Sequence, residues 1–196
     1  MCLVAIVTCE ARRRYADAQR ASWAPHVKNA DVRFFLGQPE REALSGEVFL
    51  QAPDDYYSLP YKVRELSRWA LANGYERLLK LDDDALVFPN RIIIPSADYV
   101  GWIQPTGNYC AGFAYWLSRR AMEIVANADI PEGMHSEDRW TGAVLAAAGI
   151  KPEPMPARSL YWAGRNRPLM LDRQRLRYAY VAGEFTPEEM AQVFNS

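Results

Sequence analysis

The chain has 196 residues, 49% of them hydrophobic and 24% charged, an ordinary globular composition that excludes collagen-like and largely disordered classes. At about 150 residues per domain the length reads as one domain, 1–196, and roughly 70% of the unfolded surface becomes buried in a chain of this size, so folding by itself requires no disulfide or metal. With 23 basic and 24 acidic residues the net charge is -1, which excludes a polycation built to coat nucleic acid or an anionic membrane.

The run Leu3-Val4-Ala5-Ile6-Val7-Thr8 is continuously apolar and β-branched, as in a central parallel strand buried on both faces. Helix formers follow Glu10 and stop near Pro25, and Asp31 to Gly37 and Val48-Phe49-Leu50 are short strand candidates. Between Leu59 and Asn73, the residues Leu59, Val63, Leu66, Trp69 and Ala70 recur at helical spacing, and Asn73-Gly74 closes the helix. Arg77 to Leu81 then runs as a strand directly into Asp82-Asp83-Asp84. Tyr99 to Ile103 and Ala111 to Leu117 are further strand candidates, with helices from Ser118 to about Ala128 and from about Ser136 to Ala148. Thr186-Pro187-Glu188-Glu189 is a capping box opening a short terminal helix. The alternation predicts an α/β fold around a mostly parallel sheet flanked by helices, with ligands beyond the carboxyl ends of strands.

Cys2, Cys9 and Cys110 are an odd set without metal-ligand spacing, which disfavours a disulfide framework or a zinc site and suits a reducing compartment. The apolar run Cys2 to Cys9 is too short to span a bilayer and no charged leader precedes it. A cytoplasmic chain without stable membrane insertion is therefore expected.

Asp82, Asp83 and Asp84 carry the strongest chemical signal, because adjacent carboxylates repel one another and gain from a bound cation. In an extended segment Asp82 and Asp84 project to one side and Asp83 to the other. Oxygen ligands favour Mn2+ or Mg2+, ions that keep waters and take substrate phosphates, and the plain alternative is a solvated acidic turn. His135-Ser136-Glu137-Asp138 opens a predicted helix; it reads either as a cap or as a carboxylate able to accept a proton from an attacking hydroxyl. Arg12, Arg13, Arg14 and Arg20 follow the first strand, where they can pair with phosphate or with the acidic run. From Lys151 to Tyr180, seven basic residues stand against two acidic ones, interleaved with Tyr161, Trp162, Tyr178 and Tyr180. That pattern suits a polyanion or a stacked ring, or else an ordinary basic flank.

Taken in order, several segments resemble the β1,3-galactosyltransferase and Fringe-type family. Arg13 to Trp23, ending Gln19-Arg20-Ala21-Ser22-Trp23, resembles the family's basic pair followed by Ile-Arg-x-Thr-Trp. Asp54 to Lys62, with Trp69 after it, resembles Asp-x-Tyr-x-Asn-Leu-Thr-x-Lys. Leu79 to Val87 resembles Lys-x-Asp-Asp-Asp-Val-Phe-Val, Tyr109 to Ser118 resembles Tyr-Cys-x-Gly-x-Gly-Tyr-x-Leu-Ser, and Glu137-Asp138 matches the Glu-Asp before the family's last helix.

The resemblance implies a GT-A (Rossmann-like) fold and inverting transfer of a hexose from a UDP-sugar to an acceptor hydroxyl. Asp82 and Asp84 would hold Mn2+ (or Mg2+) against the diphosphate, and Asp138, or in second place Glu137, would be the base. Arg13, Arg20, Lys62 and Asp83 become donor-binding candidates. Tyr109 and Gly112 from the matched segment, and Trp162 and Arg165 from the basic aromatic stretch, become acceptor-binding candidates. The family's late histidine ligand has no counterpart, since His26 and His135 are the only histidines, so fewer protein ligands are expected on the metal. The membrane anchor and paired cysteines of the animal members are also missing, which suggests a bacterial or viral form. The acceptor stays open between a glycan, a lipid-linked sugar and modified DNA. The competing functions are a nucleotidyltransferase or phosphohydrolase, and a non-catalytic sugar- or metal-binding module.

Overall fold

The first apolar run forms β1 (Cys2–Val7), buried along its whole length, and its alternating side chains set the layering. In this computed structural model residues 1–155, 160–162 and 181–194 are described. After β1 come α1 (Arg13–Ala21), β2 (Asp31–Leu36), β3 (Glu47–Phe49), α2 (Leu59–Ala72), β4 (Arg77–Asp82) and β5 (Leu86–Val87). They are followed by β6 (Tyr99–Ile103), β7 (Cys110–Ser118), α3 (Arg119–Asn127), α4 (Glu137–Ala147), β8 (Glu153–Pro154), β9 (Leu160–Trp162), β10 (Val181–Gly183) and α5 (Pro187–Phe194).

Leu3, Ala5 and Val7 pack against Val63 and Leu66 of α2, Met122 of α3 and Trp140 of α4. Val4 and Ile6 pack on the other face with Ala16 of α1, Leu86 of β5 and Met190 of α5. One strand thus feeds two cores, as a period of two requires when both faces are covered. The helix ends follow local chemistry. Gly74, at φ +75, closes α2, and the Ser118 hydroxyl accepts from the Ala121 amide at the start of α3. At α5 the Thr186 amide donates to Glu189 Oε2 at 2.8 Å while the Glu189 amide donates to Thr186 Oγ1 at 3.3 Å, the reciprocal pair that the capping box predicts.

The main sheet has the order β3-β2-β1-β4-β7-β6-β8. The β1–β2, β2–β3, β1–β4 and β6–β8 pairs are parallel, so the sheet is mostly parallel as expected. β7 runs antiparallel to both β4 and β6, a feature that hydrophobic patterning does not distinguish. For β6 and β7 the cause is their short connection, where the Gln104 amide donates to the Tyr109 carbonyl and Gly107 turns at φ +77; a hairpin obliges antiparallel pairing. A second sheet, β5-β10-β9, is built from strands of two or three residues, too short to show a period in the sequence. From β1 the chain steps outward to β2 and β3, then returns to the other side of β1 as β4. This makes the β1/β4 boundary the topological switch point, where open α/β sheets bind ligands. Among the described residues no helix is long and apolar enough to cross a membrane. Arg165 and most of the basic stretch up to Tyr180 lie outside the described residues; Trp162 is the last residue of β9.

Gly142 of α4 lies beneath the β6–β7 hairpin, and a Cβ there would sit 2.3 Å from Tyr109 Cβ and 3.0 Å from the Asn108 carbonyl oxygen. Gly142→Ala is expected to destabilise the fold by about 1–3 kcal/mol even though alanine is the better helix former. A lower midpoint in urea unfolding followed by circular dichroism checks this.

Candidate active site

At the carboxyl end of β4 a cleft of about 400 Å³ opens, lined by Asp82, Asp84, Gly112, Phe113, Ser136, Glu137, Asp138 and Glu184, with Tyr56, Trp102 and His135 also on its walls. Asp82 ends the strand, and the chain turns at once, with the Ala85 amide donating to the Asp82 carbonyl at 3.1 Å. Asp82 and Asp84 line the cleft while Asp83 does not, the division that alternating side-chain directions predict. Asp83 is buried behind the bend, where its carboxylate accepts from Thr8 Oγ1 at 2.7 Å and from Arg12 Nε at 2.8 Å. The bend is also held from two other elements. Buried Gln19 of α1 donates to the Ala85 carbonyl at 2.8 Å, and the Phe185 amide donates to the Asp84 carbonyl at 2.9 Å. Burial, then the neighbouring charges of Asp82 and Asp83, push the Asp84 carboxyl up to about 7 against the opposing Arg12. Arg12 also lies 3.3 Å from Asp84 Oδ2, so Asp84 shares Arg12 with Asp83.

Lys80 is the residue that sequence reasoning missed. It is fully buried and pairs in register with Tyr115 of β7, on the sheet face covered by α2, α3 and α4. Its ammonium donates to Asp82 Oδ1 at 2.6 Å, to the Gly112 carbonyl at 2.6 Å and to Glu137 Oε2 at 3.2 Å, and the Tyr115 hydroxyl donates to Glu137 Oε1. Burial alone would lower the Lys80 pKa, but Asp82 and Glu137 outweigh it and keep the ammonium charged. Glu137 receives the longer share of that ammonium, so desolvation dominates and lifts its carboxyl to about 7, with Lys80 opposing. The signal for Lys80 was present in Leu78-Leu79-Lys80-Leu81, a lysine inside a strand whose neighbours are all core.

Glu137 is committed to this network, whereas Asp138 is half-buried on the cleft wall, its Oδ1 accepting from Ser136 Oγ at 2.7 Å and from the Arg139 amide at 2.8 Å. Gly112 lets the acidic first turn of α4 approach β7. A Cβ at this position would lie 3.1 Å from Glu137 Oε2 and 3.6 Å from Asp138 Cβ.

The structure thus brings together Asp82, Asp84, Gly112, Glu137 and Asp138, and sets Arg13, Arg20, Lys62, Asp83 and Tyr109 outside the cleft lining. Lys62 is buried and donates to the Thr8 carbonyl at 2.9 Å and to Asp54 Oδ1 at 2.8 Å, which fixes the loop between β1 and α1. Arg20 is taken up by Asp17 and Glu47 at 2.8 and 2.7 Å, with its guanidinium 4.1 Å from the Phe34 ring centre. Arg13 faces Glu10 and Asp17 at 3.4 and 3.7 Å. The Tyr109 hydroxyl accepts from Arg139 Nε at 3.3 Å, so this ring braces the hairpin against α4. Among the described residues no three His, Cys, Asp or Glu side chains are grouped as a metal site. Asp82 and Asp84 are a two-carboxylate set, which suits a hard cation that completes its shell with water and phosphate oxygens.

No protein-family model matches the chain, and no curated protein matches it. Its fold is that of several solved sugar-transferring enzymes. A glycosyltransferase involved in the glycosylation of the major capsid of PBCV-1 aligns over 100% of both chains with TM-score 0.61 at 12% identity. An active-site mutant of LgtC aligns over 97% of this chain and 94% of its own with TM-score 0.53 at 11% identity. A protein assigned as a nucleotide-diphospho-sugar transferase from Desulfovibrio desulfuricans G20 aligns over 80% of both chains with TM-score 0.53 at 11% identity. At such identities the likeness establishes the GT-A fold.

Two stability predictions follow from the buried charges. Lys80→Met leaves Asp82 and Glu137 uncompensated and is expected to cost about 3–5 kcal/mol, part of which returns when Glu137→Gln is added; denaturant unfolding of the single and double variants measures both. Burial raises the Asp54 pKa, but hydrogen bonds from Lys62 and from the Glu10 and Gly37 amides outweigh it and hold the carboxyl below its ordinary 3.8. That stabilisation is complete above pH 3.8 and is lost as the pH falls through the folded value. The gap in urea stability between the unaltered chain and Asp54→Asn is therefore expected to narrow on acidification.

Proposed function

We propose that the chain is a cation-dependent glycosyltransferase that moves a hexose from a UDP-sugar to an acceptor hydroxyl with inversion. One observation carries this reading: Asp138, a half-buried carboxylate on a helix's first turn, shares a cleft with Asp82 and Asp84 beside the switch point of the sheet. The likeness of fold to nucleotide-sugar transferases supports it.

The residues present fit a divalent ion. Burial, and after it the neighbouring carboxylates, lift Asp84 to about 7, and an oxygen-rich bend in which, among the described residues, Asp82, Asp83 and Asp84 share only Arg12 and Lys80 is a donor set that suits Mn2+ or Mg2+. Asp82 and Asp84 would hold the ion, which when bound would offset the negative charge of the departing diphosphate. The remaining work belongs to the chain. Arg12 and Thr8 fix Asp83, so the bend keeps its shape as the nucleotide enters. Asp138 accepts the proton of the acceptor hydroxyl while that oxygen bonds to the anomeric carbon, and the bond from that carbon to the terminal phosphate oxygen breaks to release UDP. Attack opposite the leaving group inverts the anomeric centre. Lys80 holds Glu137, and through it the first turn of α4, at a fixed distance from Asp82.

A thermal-shift panel of UDP-galactose, UDP-glucose and UDP-N-acetylglucosamine with and without Mn2+ tests the reading, since a ligand held only by the native state stabilises it by about 2.7 kcal/mol at a hundred times its Kd. The expected result is a rise in Tm that needs Mn2+ and disappears in Asp84→Asn. Asp138→Asn is expected to keep that rise and to lose about 100-fold or more in kcat, with UDP rather than pyrophosphate or phosphate as the released product. A nucleotide-induced shift indifferent to Mn2+ and to Asp84→Asn, or full turnover in Asp138→Asn, would overturn the assignment.

A further inference from the structure

The cleft wall carries aromatic rings that the transfer step leaves unused. Tyr56, on the loop before α2, is 74% exposed, and Trp102 of β6 is 40% exposed; both line the cleft. Exposed aromatic rings gathered on the wall of a concave cleft are the kind of surface that ligand-binding grooves present. Neither ring is stray. The Tyr56 ring meets Tyr57 edge-on at 6.1 Å, Tyr57 meets His135 edge-on at 5.1 Å, and His135 Nδ1 lies 3.3 Å from the Tyr57 carbonyl oxygen. The loop before α2 is thereby tied to the loop before α4, which carries the proposed base. Trp102 stands where the β6–β7 register shifts, between Gly101 and Ile103. Such irregularities re-aim a side chain and are over-represented beside active sites. Gly101 is required there, because a Cβ would fall 2.7 Å from Cys110 Cβ.

The charge of the same wall narrows the ligand. Among the described residues the lining holds five carboxylates, Asp82, Asp84, Glu137, Asp138 and Glu184, and no lysine or arginine. A cation would serve the diphosphate of the donor, but nothing in this lining would neutralise phosphates, sulfates or uronates on a second substrate. What such a wall can hold is a ring with an apolar C–H face for the aromatics and neutral hydroxyls that donate to carboxylates.

We propose that Trp102 and Tyr56 form the acceptor platform, on which the terminal ring of an uncharged oligosaccharide stacks with one hydroxyl turned toward Asp138. The proposal rests on the glycosyltransferase reading, yet its test needs no donor. Saturation-transfer NMR and calorimetry are run on the full chain with neutral oligosaccharides ending in glucose, galactose or N-acetylglucosamine, with a phosphorylated oligosaccharide and with a hydroxymethylated DNA duplex. Expected are saturation of the terminal ring's C–H protons for at least one neutral sugar and a loss of about tenfold in affinity in Trp102→Ala and in Tyr56→Ala, the scale of one lost stacking contact. Ile93→Ala, exposed but outside the cleft lining, is expected to bind as the unaltered chain does. Equal sugar binding in both cleft variants, no binding of any neutral sugar, or tighter and salt-dependent binding of the duplex would overturn the proposal. A failed nucleotide-sugar thermal shift alongside intact, Trp102-dependent sugar binding would sink the transferase reading alone.

Discussion

The buried ammonium of Lys80 organises the centre of this molecule. Taking Lys80 out of water costs several kcal/mol, and the fold recovers that cost only because three acceptors from different elements converge on it: Asp82 at the end of β4, the Gly112 carbonyl on β7 and Glu137 on α4. The geometry is mutual. If α4 withdrew, Lys80 would lose Glu137. If β7 shifted by one residue, Tyr115 would move to the opposite face and its hydroxyl would leave Glu137. The acidic bend, the antiparallel strand and the first turn of α4 are thus held in one arrangement by charge in a low-dielectric interior, where an unpaired partner is heavily penalised.

The placing of the other cations follows the same logic. Arg12, Arg20 and Lys62 are each satisfied by carboxylates of the framework, where they fix the bend, the sheet edge and the loop after β1. The cleft lining keeps carboxylates whose charge is met only in part.

Much of the fold was legible in the sequence because local signals agreed with global packing. The continuous apolar run of β1, the three-and-four spacing of α2 and the capping box at Thr186 each appear where expected. What patterning could not supply was strand direction, since an apolar run reads the same in either sense; the hairpin sets β7 antiparallel to β6. Strands of two or three residues, such as β5 and β10, are too short to show a period. At the site, the division of Asp82 and Asp84 from Asp83 was readable from strand geometry. The uses of Lys62 and Arg20 were not, because whether a cation faces a ligand or a carboxylate depends on residues far away in sequence, Asp54 and Glu47. Trp102 was hidden for a related reason, since its exposure comes from an irregularity in strand pairing.

The described margins of the main sheet are small, three residues at β3 and two at β8. On the β3 side, Glu47 is clasped by Arg20 and Arg41. Few free backbone groups are therefore offered along either side for a foreign strand to zip onto. A broad hydrophobic sheet is in this way left with short described edges, and the candidate cleft sits at the one end where β4 stops.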